Sequence, residues 1–182
     1  MVSRVLVSLL MIAASNTVQA DESRYVEIAA YVGVPADILY AMAVAESGQL
    51  SDGRLSPWPW TLNVAGEAHR FDDRSAMFEG LMAALGTGET IIDIGPMQIN
   101  WHWQFDAIGS PWRITDPLVN IKLGAQILKS QYERSGDWWD AVGRYHRPAD
   151  GPKNRRIADK YRERVKHFHQ TTSRDGKDSD AV

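Results

Sequence analysis

Apolar positions recur at helical spacing along most of the chain. Between residues 24 and 32, Val26, Ile28, Ala29 and Val32 mark a short helix, which Gly33-Val34-Pro35 interrupts. Pro35 suits the first turn of the next helix, expected over 35–47. Leu39, Met42, Ala43 and Glu46 fall at i, i+3, i+4 and i+7 there, so an acid shares the apolar face. Gly48 stops that helix. Residues 50–60, with Gly53, Pro57 and Pro59, read as a loop. Short strands are expected over 60–64 and 90–94, with a turn at Gly66. Between them a helix over 73–85 carries Met77, Leu81 and Leu85 on one side and ends at 86–88. Gly95-Pro96 breaks the chain before a helical turn over 98–103.

The second half starts from a stronger signal. Asp116-Pro117 pairs a capping side chain with proline at the first helical position. Leu118, Ile121, Ala125, Leu128 and Tyr132 form the stripe of that helix, which Gly136 ends. Asp137 caps the next, over 138–145. A last helix over 154–168 places Ile157, Tyr161, Val165 and Phe168 on one side. The polar tail 171–182 is expected to be disordered. The expected architecture is one mainly α domain, with at most a small two-stranded element.

Residues 1–20 change the domain boundary. Arg4 precedes an apolar run over 5–14, interrupted by Ser8 alone, and Val18-Gln19-Ala20 places small residues at −3 and −1. The pattern is that of a signal peptide, cleaved before Asp21 and too short to span a bilayer. Its loss takes the net charge from −3 to −4. No later stretch is long and apolar enough for a membrane span, and the expected location is a bacterial periplasm. The domain then covers 21–170.

Composition removes several classes of function. The 182 residues contain no cysteine, which excludes disulfides, thiolate metal sites, a cysteine nucleophile and a lipidated cysteine anchor. The mildly acidic balance argues against a nucleic-acid-binding face. The histidines (His69, His102, His146, His167, His169) have no metal-ligand spacing with acids, so no metal or other cofactor is expected. No phosphate loop and no nucleophile elbow is present. Seven tryptophans suit a core or a sugar surface, and Trp101 and Trp103 are the better candidates for sugar stacking over Trp58 and Trp60. The basic side chains of the last helix, Lys153 to Lys166, are read as a solvated face.

Glu46 is then the acid to explain. Burial and the negative end of its helix both disfavour its charge, which suits a general acid. Ala45-Glu46-Ser47-Gly48 resembles the E-S-G signature of soluble-type lytic transglycosylases, whose fold is similar to goose-type lysozyme. Ile94-Gly95-Pro96-Met97-Gln98-Ile99-Asn100 resembles that family's G-L-M-Q-I-N motif. Asp116-Pro117, Asn120-Ile121 and Gly124-Ala125 through Leu128 are similar to its D-P-x-x-N-I-x-x-G-A-x-x-L helix. Residues 141–146 stand in the place of its A-x-x-x-Y-N segment.

The resemblance implies a lysozyme-like domain that cleaves the bond between MurNAc and GlcNAc in peptidoglycan, leaving 1,6-anhydro-MurNAc ends. It implies Glu46 as the single acid/base and Ser47 as a hydroxyl beside the scissile bond. Gly95 would let backbone approach the sugar, Met97 and Gln98 would line the cleft, and Asn100 and Trp101 would follow in the same wall. Tyr145 would hold the catalytic carboxyl. Pro96 and His146 depart from the family's leucine and asparagine, and His146 would either keep a polar contact or move the site's pH response. Asp93 is the best candidate for a second carboxylate, and a solvated strand-end residue is the reading its position favours. The insertion over 50–90 resembles a branch of conjugative elements and type IV secretion systems, whose components would be partners beside the glycan strand. The alternatives are a hydrolytic lysozyme and a weakly active peptidoglycan-binding assembly component.

Overall fold

A computed structural model describes residues 12–51 and 53–179, with side chains over 22–51 and 53–172. The first eleven residues of the expected signal peptide and the last three of the tail lie outside the described residues. Helix α1 (Ile12–Val32) runs unbroken across the expected cleavage position before Asp21. Helix α2 (Ala36–Ser47) follows, then hairpin β1 (Gly48–Ser51) and β2 (Arg54–Pro57), strands β3 (Thr61–Val64) and β4 (Glu67–Arg70), and helix α3 (Arg74–Gly86). Strands β5 (Ile92–Ile94) and β6 (Ile99–Asn100) flank the 95–98 turn. Helices α4 (Trp101–Ile108), α5 (Pro111–Ile114), α6 (Pro117–Ser135), α7 (Trp138–His146) and α8 (Pro152–Ser179) complete the chain. The chain is mainly helical, as expected. Among the described residues no helix is long and apolar enough to cross a membrane.

The centre of the core is α2. Every residue from Ile38 to Val44 is buried, and a helix apolar all round must be covered all round. Helices α1 and α8 and strand β2 pack against it, while α6 packs on α1 and α7, and α7 on α8. Asp116 caps α6 by accepting from the Leu118 and Val119 N–H groups. Asp73 and Asp137 cap α3 and α7 in the same way, accepting from Ala76 and Asp140. These helix starts match the sequence reading.

The β content exceeds the expected two-stranded element. The expected loop 50–60 contains antiparallel β1–β2, with Ser51 opposite Arg54. Proline is tolerated there because Pro57 stands at a strand end. A second, four-stranded sheet has the order β4-β3-β5-β6. Its β3 belongs to the segment expected to be an insertion (50–90) and pairs directly with β5, which leads into the Gly95 turn. Gly95 N–H donates to the Thr61 carbonyl at 2.8 Å. Leu62, Met77 and Leu81 are fully buried. Arg74 of α3 binds the Asp116 carboxylate at 3.0 Å and the Trp112 carbonyl at 2.8 Å, and its guanidinium lies 4.2 Å from the Trp112 ring centre. Segment 50–90 is thus built into the core, and α3 braces α6.

The last helix also differs from the reading. It continues to Ser179, past the expected boundary at 171. The Thr171 and Thr172 hydroxyls bond carbonyls three and four residues back within it.

Candidate active site

The C-terminal turn of α2 carries Glu46 into the packed interior, where its side chain is 10% exposed. Burial pushes its carboxyl from 4.5 up to about 7. The Asp93 charge pushes the same way, while Tyr161 and Arg164 oppose. The Arg164 guanidinium lies 3.9 Å from Oε2. At neutral pH the group is divided between acid and carboxylate, the condition a proton donor and acceptor requires.

The tyrosine facing this carboxyl is Tyr161 of α8. Its buried hydroxyl favours the charged form of Glu46, and it is itself held protonated, first by burial and then by that acid. Tyr145, expected to hold the carboxyl, instead donates to the Met97 carbonyl at 2.7 Å. It remains close enough for Glu46 and Asp93 to disfavour its ionisation, after burial itself. Sequence periodicity placed Tyr161 in an apolar stripe. The available signal was a polar tip on that stripe, one turn before Val165.

The 95–98 turn is held from below rather than opened to the surface. Asn120, fully buried on α6, donates to the Ile94 carbonyl at 2.8 Å and accepts from the Met97 N–H at 2.9 Å. Gly95 sits at φ +73, and a Cβ there would come within 2.6 Å of Asn120 Nδ2. Its lack of a side chain therefore serves Asn120, where a sugar was expected. Met97 is fully buried against α6, at a point where a Cβ on Gly124 would approach its Cγ to 2.7 Å. It is core, not cleft lining. The Ser47 hydroxyl is buried and lies 3.0 Å from both the Ala43 and the Pro96 carbonyls. It latches α2 to the turn and does not face outward.

Gln98 takes a positive φ of 46, and its Nε2 donates to the Gly95 carbonyl at 2.9 Å. Asn100 has two tasks. Its Nδ2 holds the Asp93 carboxylate at 2.7 Å, and its Oδ1 caps α4 through the Trp103 N–H. Burial holds the Asp93 carboxyl above its usual range, and the Asn100 bond opposes this. Trp101 is buried, edge-on to Phe105, so it packs instead of presenting a face. Its neighbour Trp103 is 75% exposed. His146 lies flat on Tyr161, with 4.5 Å between ring centres. Burial first, then Arg164 and Arg147, disfavour its cation.

Glu46, Asp93, Tyr145, Tyr161 and Arg164 thus form one electrostatic cluster, with His146 on its outer side. Ser47, Gly95, Met97 and Trp101 form its frame. Among the described residues no three His, Asp or Glu side chains gather in a group fit to hold a metal ion. Compared with known protein families, curated proteins and solved structures, the chain matches none of them.

Proposed function

We propose that the protein is a peptidoglycan lytic transglycosylase with a lysozyme-like arrangement, working in the periplasm. Glu46 as acid protonates the oxygen linking MurNAc to GlcNAc, and the C1–O bond breaks. The 2-acetamido oxygen of MurNAc stabilises the cationic carbon. Glu46, now a carboxylate, takes the proton of the 6-hydroxyl as O6 closes on C1. The 1,6-anhydro end forms, the acid is restored and no water is consumed. Arg164 and Tyr161 favour the carboxylate in the second half, and burial favours the acid in the first. One observation carries this reading: the Glu46 carboxyl is buried at the end of α2, with Arg164 of α8 3.9 Å away and Tyr161 of the same helix acting on it. The order of the four motifs along the chain adds to it.

Hydrolysis is the second reading, because the charge of Asp93 reaches Glu46 and glycosidases ordinarily use two carboxylates. The expected role in the cell is local opening of the wall for a secretion or conjugation apparatus. Mass spectrometry of fragments released from purified sacculi tests the reaction. Anhydro-ended muropeptides are expected. Reducing ends would assign the protein as a lysozyme, and bound but intact sacculi would assign it as a binding component.

A further inference from the structure

Tyr161 meets α7 through two pairs of residues in one register. Gly143 of α7 approaches Ala158 of α8 so closely that a Cβ on the glycine would lie 3.2 Å from the Ala158 carbonyl oxygen and 3.3 Å from its Cβ. Three residues further along each helix, the His146 and Tyr161 rings lie flat on each other, with 4.5 Å between centres and 6° between planes. The side chains at a helix contact set the distance between the helices, so the missing side chain at 143 brings the two rings within stacking reach.

The end of α7 is itself tied down. The Arg147 N–H donates to the Gly143 carbonyl at 3.0 Å, and Arg147 Nε donates to Asn154 Oδ1 at 2.9 Å. Asn154 in turn donates to the Asp150 carbonyl at 2.7 Å. These bonds fix the backbone that carries the His146 ring. Partial burial, then Arg164 and Arg147, disfavour the His146 cation, and Lys160 lines the same depression. A neutral ring therefore lies on the phenol. The groups acting on Glu46 are Asp93 of β5 and Tyr161 and Arg164 of α8, with Tyr145 of α7 also in its field.

The Tyr161 hydroxyl favours the Glu46 carboxylate. A hydrogen bond weakens steeply when it is misaligned, so this effect depends on how the phenol is turned. A flat ring packed on its face restricts that turning.

We propose that His146 is a positioning residue: its ring holds the Tyr161 hydroxyl towards Glu46 and so supports the carboxylate that takes the 6-hydroxyl proton. Only that last step rests on the reading of the protein as a transglycosylase.

The test is carboxyl-carbon NMR of Glu46 in His146→Ala and His146→Phe, with the pH profile of sacculus cleavage by the same proteins. Position 146 is exposed at the end of α7, so both variants keep the core. His146→Ala is expected to raise the Glu46 midpoint above the parent's by roughly 0.5–1 pH unit, the size of one hydrogen bond to the charged form. The pH at which cleavage falls should rise with it. His146→Phe keeps a flat ring and is expected to keep the parent's midpoint. The sign separates positioning from mere cover, because a gap that only admitted water would lower the midpoint towards 4.5. A lowered or unchanged midpoint in His146→Ala overturns the proposal, and so does a midpoint in His146→Phe that follows the alanine variant. Cleavage by the parent with no rise in His146→Ala defeats the positioning role alone. A raised midpoint with an unmoved profile, or with no cleavage at all, keeps that role and defeats Glu46 as the acid of the proposed reaction.

Discussion

Glu46→Gln is expected to lower sacculus cleavage by a factor on the order of 10²–10⁴, the usual contribution of a general acid/base, while making the protein more stable at pH 8. The second effect follows from the sign of the shift. Burial raises the folded-state carboxyl from 4.5 to about 7, so the fold binds this proton more tightly than the unfolded chain. Below pH 4.5 both states are protonated and the site is neutral to stability. Between 4.5 and 7 stability falls as pH rises, and above 7 the fold carries the whole cost of a buried charge. At roughly 1.4 kcal/mol per pH unit that cost is about 3 kcal/mol. Glutamine is never charged, so the variant should gain up to about 3 kcal/mol at pH 8 and little at pH 4. Urea unfolding of both proteins at the two pH values measures it. A gain that is equal at both would mean that the carboxyl does not titrate as described. The same titration sets the cleavage profile: the acid step needs protonated Glu46, so the rate falls as pH rises through about 7.

The frame should be more sensitive than the cluster it holds. Asn120→Ala is expected to destabilise by about 2–5 kcal/mol, because it leaves the buried Ile94 carbonyl and Met97 N–H without partners, each costing about 1–3 kcal/mol. Gly95→Ala approaches the same contact from the other side. Its Cβ would meet Asn120 Nδ2 at 2.6 Å while the backbone stays at φ +73, and the expected loss is of similar size. Both variants should also lose cleavage at temperatures where they remain folded. The turn they disturb supplies the Met97 carbonyl that fixes Tyr145 and the Pro96 carbonyl that latches Ser47 beside Glu46. Denaturation midpoints within about 0.5 kcal/mol of the parent for both would remove Asn120 from this role.

What the sequence revealed depended on how local each signal was. Asp116-Pro117 and Asp137 announce helix starts through bonds to the next two or three residues, so α6 and α7 were legible. Hairpin β1–β2 was not, because Gly53 and Pro57 were read as loop residues. Asp52-Gly53 between two short extended segments was the missed signal. Strand β4 is exposed throughout and so shows no alternation at all. Within the site, Glu46 was legible because an acid on an apolar helical face is a local anomaly. The partners of Ser47, Gly95 and Met97 come from segments 23 to 49 residues away, and their motif positions looked the same whether they lined a cleft or carried its frame. Tyr161 acts on Glu46 from more than a hundred residues along the chain, which no periodicity reports.

The central claim is that Glu46 stores a proton near neutral pH. Its most direct test is the NMR titration of the Glu46 carboxyl carbon in the purified protein, assigned by the loss of that signal in Glu46→Gln. The expected midpoint is about 7. A midpoint at the ordinary 4.5 would show a solvated carboxylate, and the acid/base role derived from its burial would fail.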